Sequence, residues 1–250
     1  MKAQLYQYLI LLGDNTMVLG HRLSEWCGHG PSLETDIALT NISLDLWGQT
    51  RSYFQYAAEV KADGSKEDDI AFLRYPNEYR NVLLVEQPNQ EFAHTIGRSF
   101  FFDTYHLLLL QQLIDSKDPQ IAAIAAKSIK EVQYHQRFSS HWVKRLGDGT
   151  EESHHKMQVA VDHLWPFLGE LHEITGVEKG MAKEGVGTNL FELIAPFQQT
   201  IHQVFEEATL SIPEIVQHQT GGKHGAHSEH MGYILTELQY MQRTYPNMEW

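Results

Sequence analysis

An all-α fold is what this sequence predicts: a helical bundle with two long helix hairpins first and peripheral helices after. Three observations carry that expectation. Apolar residues recur at offsets of three and four almost throughout, no stretch alternates apolar and polar for more than a few residues, and the breaks between periodic stretches hold Gly, Pro, Asp and Ser.

The first helix is predicted from about Leu5 to Trp26, with Leu19, Leu23 and Trp26 on one face, ending at Gly28-His29-Gly30-Pro31. Ser32 is the predicted N-cap of the second, with Glu34 and Asp36 in its first turn. Leu39, Ile42, Leu46, Tyr53 and Ala57 then trace a face to about Ala62. DGSKEDDIAFLRYPNEYRN, residues 63–81, reads as a charged connection with a short helix around Asp69 to Leu73. A third helix is expected over roughly Asn89 to Asp115. Its Phe100-Phe101-Phe102 and Tyr105 go almost all the way round, so it should be buried on several sides.

Ser116-Lys117-Asp118-Pro119 supplies a turn and a helix start, and the fourth helix runs from Pro119 to Leu146, stopping at Gly147. Thr150 with Glu151 and Glu152 opens a fifth, with the apolar stripe Met157, Val161, Leu164, Leu168 and Leu171. TGVEKGMAKEGVGTN, 175–189, reads as a glycine-rich loop before a sixth helix carrying Phe197, Ile201, Val204 and Ala208. Residues 211–226 read as loop, and a last helix carries Met231, Leu235, Leu238 and Met241. No stretch is long or polar enough to be a linker, so residues 1–250 are expected to form a single domain.

Composition narrows the function classes. A hydrophobic fraction of 42% over 250 residues suffices for a substantial core. The formal net charge of -13 argues against a nucleic-acid ligand, whose phosphates are neutralised by Lys and Arg. No apolar run approaches membrane-spanning length, no secretory signal opens the chain, and the single cysteine, Cys27, has no internal partner. A cytoplasmic protein with an ordinary packed thiol is the expectation. Of fifteen histidines, His141, His154 and His155 lack a zinc-type spacing and are expected at the surface.

The two hairpins suggest where polar chemistry could gather. Residues equally far from a tight antiparallel turn lie at about one height, because each helical residue rises about 1.5 Å. Centring the first turn near residue 30 sets Asp14 opposite Asp45, and centring the second near 117 or 118 sets Asp103 between Glu131 and His135. One acid per helix at corresponding levels is the topology of a di-metal carboxylate site, which uses two isolated acids and two Glu-x-x-His pairs. The ligands, however, are incomplete. Three residues beyond Asp45 stands Gly48, and IKEVQYHQRF holds Glu131 and His135 at a spacing of four, with Tyr134 and Val132 where a partner would be. The expectation is no bound metal: a degenerate level at Asp14, Asp45, Gly48, Asp103, Glu131 and His135, paired or hydrogen-bonded instead. The alternative is a self-sufficient di-iron or di-manganese oxidoreductase with an atypical ligand set. TGGKHGAHSEHMG, 220–232, makes Gly221, Gly222, Lys223, His227 and His230 candidates for contact with a partner, and it lacks the spacing of a nucleotide-binding loop.

Six stretches, LGDNTMVLGHRLSEWCGHGP, DIALTNISLDLWGQTRSYFQYAAE, NVLLVEQPNQEFAHTIGRSFFFDTYH, DPQIAAIAAKSIKEVQYHQRFSSHW, RLGDGTEES and TGGKHGAHSEHMGYILTELQYMQR, together cover much of the chain. Through them it resembles the structural C-type subunits of bacterial ring-1,2-phenylacetyl-CoA epoxidases, multicomponent monooxygenases of phenylacetate catabolism. The resemblance implies a ferritin-like fold and a non-catalytic subunit without cofactor, with no catalytic residues and no activity alone. It implies an A-type catalytic partner holding di-iron and the CoA thioester, a small bridging B-type subunit, and a reductase that passes electrons from NADPH through FAD and an iron-sulfur centre. Self-association of the isolated chain is a further expectation.

Overall fold

The computed structural model describes residues 2–214, 217–246 and 248. Among them the fold is all-α, in the ferritin-like class, with no strand. The helices are α1 (Lys2–Ser24), α2 (Leu33–Lys61), α3 (Glu67–Phe72), α4 (Leu83–Glu86), α5 (Phe92–Leu113), α6 (Pro119–Gly147), α7 (Glu151–Leu164), α8 (Gly176–Glu184), α9 (Leu190–Glu207) and α10 (Glu229–Thr244). Short 3-10 helices stand at Pro76–Glu78, Trp165–His172 and Gly222–His224. Contacts gather the chain into two compact units, one of Met1–Glu86 with Gly221–Trp250, the other of Gln87–Thr220.

The first unit is built on the α1–α2 hairpin. Ser32 caps α2 by accepting the Thr35 N–H, and Ala62 closes it in the left-handed conformation. The side chains that meet between the helices are small: Thr16 Oγ1 lies 2.8 Å from Thr50 Oγ1, and Ser43 Oγ donates to the Gly20 carbonyl at 2.6 Å. Gly13 permits the closest approach, since a Cβ there would collide with the buried Phe54 ring. Nearly every residue from Tyr8 to Gly20 is buried, so α1 is covered on all sides. α10 packs against α1, α3 and α4. Cys27 is exposed in the turn after α1, not packed as expected.

The second unit is built on the α5–α6 hairpin, with α7 and α9 laid against both helices. The aromatic run predicted to be enclosed is enclosed: Phe100, Phe101, Phe102 and Tyr105 are all buried, and Phe101 meets Trp165 edge-on at 6.0 Å. An apolar cavity of about 410 Å³ lies apart from that run, lined by Trp165, Leu168, His172, Phe197, Ile201 and His218 among others. Pro166 turns the end of the fifth helical pattern into a 3-10 helix, so Leu168 and Leu171 continue the stripe with a tighter backbone. The stretch 175–189, expected as loop, instead opens with α8, started by the reciprocal Thr175–Glu178 capping box and closed by Gly185 at φ 73.

Phe101→Ala should destabilise the protein by about 3–5 kcal/mol, because a ring in a fully enclosed site leaves a cavity that cannot collapse. Ile37→Ala, at a position 52% exposed, should stay within about 0.5 kcal/mol. Urea unfolding of both variants checks the contrast, and equal midpoints would refute it.

Candidate functional site

In the first unit Asp14 is fully buried on α1, and its carboxylate is taken up by donors from the 63–81 connection. Arg74 Nη1 donates to Oδ2 at 2.9 Å, its Nη2 pairs with Oδ1, and the Arg80 backbone N–H reaches Oδ2 at 2.8 Å. Arg74 is itself held flat, with its guanidinium carbon 4.0 Å from the Tyr79 ring centroid. Burial works against its charge, but attraction and hydrogen bonds from Asp14 outweigh that, and the net shift of its pKa is upward.

Asp45 and Gly48 do not share this level. The Thr16–Thr50 contact and the packing of Gly20 on Leu46 set Asp14 across from residues 52 and 53. Asp45 is half-buried near the level of Gly20, about 9 Å along the helix axis. The mirror construction failed because α1 stops at Ser24 and α2 starts only at Leu33, which moves the symmetry point beyond residue 30. Gly48 is exposed, with open space where a side chain would be.

A second buried acid, Glu86, lies at the end of α4. Asn81 Nδ2 donates to its Oε2 at 3.2 Å, His227 Nδ1 lies 3.0 Å from the same oxygen, and the Ser228 N–H donates to Oε1 at 2.7 Å. This corrects the expectation for the 220–232 loop as a partner surface. Gly222 and Lys223 are buried and the His227 side chain is only 4% exposed; a Cβ on Gly222 would collide with the Asn81 carbonyl. The glycines serve close packing inside the unit, and only Gly221 and His230 are left half-buried.

In the second unit Asp103 on α5 accepts from Ser139 Oγ on α6 at 2.8 Å. His135 stands one turn before Ser139 and is fully buried; Glu131 is half-buried about 12 Å before Ser139 along α6. Asp103 is therefore level with Ser139 rather than Gln133, because the connection from Ile114 to Asp118 does not close as a symmetric turn. Sequence reasoning left out His106, three residues after Asp103, whose buried ring lies 5.2 Å from that of Phe102. The signal was present as Asp-x-x-His, a spacing that stacks both side chains on one face. Burial raises Asp103 to about 6, against the smaller lowering by His135 and Ser139. Burial lowers His106 to about 3, with His135 adding to the effect.

The donors of a carboxylate di-metal centre are thus not brought together within either unit. Among the described residues, one group of three metal-capable side chains has its donor atoms within 4.8 Å: His21, Glu25 and Glu237. Arg22 already holds Glu25 at 2.9 Å, so one of those carboxylates is committed to a cation of the chain itself.

Two outcomes are expected. Arg74→Ala should cost about 3–5 kcal/mol, because it leaves Asp14 buried without a cation, whereas Asp14→Leu with Arg74→Met should recover most of that loss. Thermal and urea unfolding of the pair checks this, and equal losses would refute it. The second concerns pH. Between about 4 and 6 the native state keeps a proton on Asp103 that the unfolded chain has released, so this group lowers stability as pH rises, by about 3 kcal/mol. His106 acts oppositely: the native state refuses a proton that the unfolded chain accepts, so stability falls by about 5 kcal/mol as pH drops from 6.5 toward 3. Asp103→Asn should leave a stability that climbs from about pH 3 to 6.5, and His106→Gln one that declines from about pH 4 to 6. Urea midpoints across pH separate the two, and profiles parallel to wild type would refute the assignment.

Comparison with known proteins agrees with the resemblance read from the sequence. The chain is 47% identical over 247 residues to the Escherichia coli K12 protein described as the C-type subunit of 1,2-phenylacetyl-CoA epoxidase, an alignment covering 99% of each. A family model described as phenylacetic acid catabolic protein matches residues 1–250. The chain belongs to the phenylacetic acid catabolic protein family.

Proposed function

We propose that this chain is the non-catalytic, structural subunit of a cytoplasmic phenylacetyl-CoA epoxidase, and that it holds no metal. Its partners are a related A-type catalytic subunit with the di-iron centre, a small bridging B-type subunit, and a reductase that delivers electrons from NADPH through FAD and an iron-sulfur centre. The complex uses dioxygen to epoxidise the ring of phenylacetyl-CoA. Likeness over 99% of the chain to a protein described as part of such an epoxidase supports the assignment to the complex.

The observation that carries the non-catalytic reading is the state of Asp14. A metal ligand needs a free lone pair, and here both carboxylate oxygens accept hydrogen bonds from Arg74 and Arg80. The guanidinium occupies the place of a cation and neutralises the acid without redox chemistry. Asp103 is in a related condition, with one oxygen on Ser139 and a proton affinity raised by burial. Gly48 adds no donor, and Asp45 and Glu131 stand away from the buried levels. No helix among the described residues is long and apolar enough to cross a membrane.

Metal content by elemental mass spectrometry, after anaerobic reconstitution with ferrous iron and desalting, should be well below one iron per chain. About two irons per chain would favour the self-sufficient di-iron or di-manganese oxidoreductase. Omitting this chain from a mixture of catalytic subunit, bridging subunit and reductase should abolish turnover of phenylacetyl-CoA. Full turnover without it would overturn the structural role.

A further inference from the structure

α6 carries a second surface, on the side away from His135 and Ser139. Lys127, Lys130, Tyr134, Arg137, His141 and Arg145 are all exposed, and at 100° per residue they fall on one stripe of the helix. The stripe runs about 27 Å from Lys127 to Arg145. Its charge is opposite to that of the chain: the protein has a net charge of -13, yet among the 29 residues of α6 the basic side chains are Lys127, Lys130, Arg137, Lys144 and Arg145, against Glu131 as the acid.

Aromatic rings support the two arginines. The Arg137 guanidinium carbon lies 5.8 Å from the Tyr134 ring centroid, and that of Arg145 lies 4.9 Å from the Trp142 centroid. Stacking fixes the plane of each guanidinium and leaves its N–H edges for an outside acceptor. Among the described residues no carboxylate pairs with Arg137 or Arg145, whereas the neighbouring Lys144 is held by Glu207 at 2.6 Å. Tyr134, Phe138 and Trp142 line, with the arginines, a shallow cleft of about 250 Å³, large enough for one apolar side chain.

We propose that this cationic, aromatic face of α6 docks an acidic segment of another subunit of the same enzyme, carboxylates pairing with Arg137 and Arg145 and an apolar side chain entering the cleft beside Phe138. Charge complementarity selects the occupant. A free nucleotide needs an enclosed slot for its base and a cluster of donors for its phosphates, whereas the rings here are already covered by their own arginines and the positive groups are strung along the helix. An extended acidic strand or helix matches that spacing. The proposal rests on the reading of this chain as an epoxidase subunit, and adds the place and the chemistry of contact.

Biolayer interferometry of the full-length chain against its purified sister epoxidase subunits, across a range of NaCl, provides the test. Wild type should bind one of them with an affinity that falls as salt rises, and Arg137→Glu with Arg145→Glu should weaken it at least tenfold, since like charges face each other at the contact. Arg137→Gln with Arg145→Gln should give a smaller loss, and both exposed pairs of substitutions should leave the thermal midpoint unchanged. Equal binding by wild type and the charge-reversed variant would overturn the docking face while leaving the epoxidase reading intact; absence of wild-type binding to every sister subunit would overturn both. Calorimetric binding of 3′,5′-ADP that the reversal abolishes, with subunit binding unaffected, would assign the face to a nucleotide and overturn the proposal.

Discussion

A carboxylate buried among helices must be given donors, and the way each is supplied organises much of this molecule. Burying an ionised acid unpaired is prohibitive, so the chain has to bring cations or N–H and O–H groups to it. Asp14 draws in Arg74 and the Arg80 amide, and so pins the 63–81 connection to α1. Glu86 draws in Asn81, His227 and the Ser228 amide, and so ties the segment before α10 to the end of α4. These ties are specific where apolar packing is not: a slide of one residue would strand a charge.

The same constraint separates a structural acid from a catalytic one. A carboxylate whose oxygens are taken by a guanidinium and an amide is a poor metal ligand, because binding would first have to displace charge-assisted hydrogen bonds and then desolvate the freed arginine. Asp103 meets the problem differently. With a single hydroxyl donor and burial raising its proton affinity, it approaches the neutral acid, and His106, pushed the other way, approaches the neutral imidazole. Neutral groups fit a dry interior without a counter-ion. The first unit neutralises its acid with a cation and the second does so with protons.

The helices were legible in the sequence because their signals are local. Ser32, Asp118 and Thr150 accept the N–H groups that a helix start leaves open, and apolar spacing marks the faces. α8 carried the same kind of signal in Thr175 and Glu178, but two glycines inside it masked the pattern. Register was not legible. It depends on side chains in contact across a hairpin, Thr16 with Thr50 or Asp103 with Ser139, and on turn residues that do not rise as a helix does. The burial of the 220–232 loop was equally hidden, since a glycine that lets one backbone meet another reads like a glycine in an open turn.

α6 shows how closely two roles can share one helix. Tyr134 and His135 are adjacent in sequence, yet the tyrosine is 39% exposed and the histidine fully buried, because one residue turns the side chain by about 100°. Glu131 lies between the two faces, half-buried, four residues before His135 and three before Tyr134. A Glu-x-x-His pair requires acid and imidazole to converge on one point; a spacing of four with Glu131 at the margin prevents that convergence. The same displacement leaves the outer stripe almost free of negative charge. Moving the histidine to position 134 would place an imidazole on the exposed stripe and leave Asp103 facing an apolar neighbour, so the inner polar level and the outer basic face constrain each other through the helical repeat.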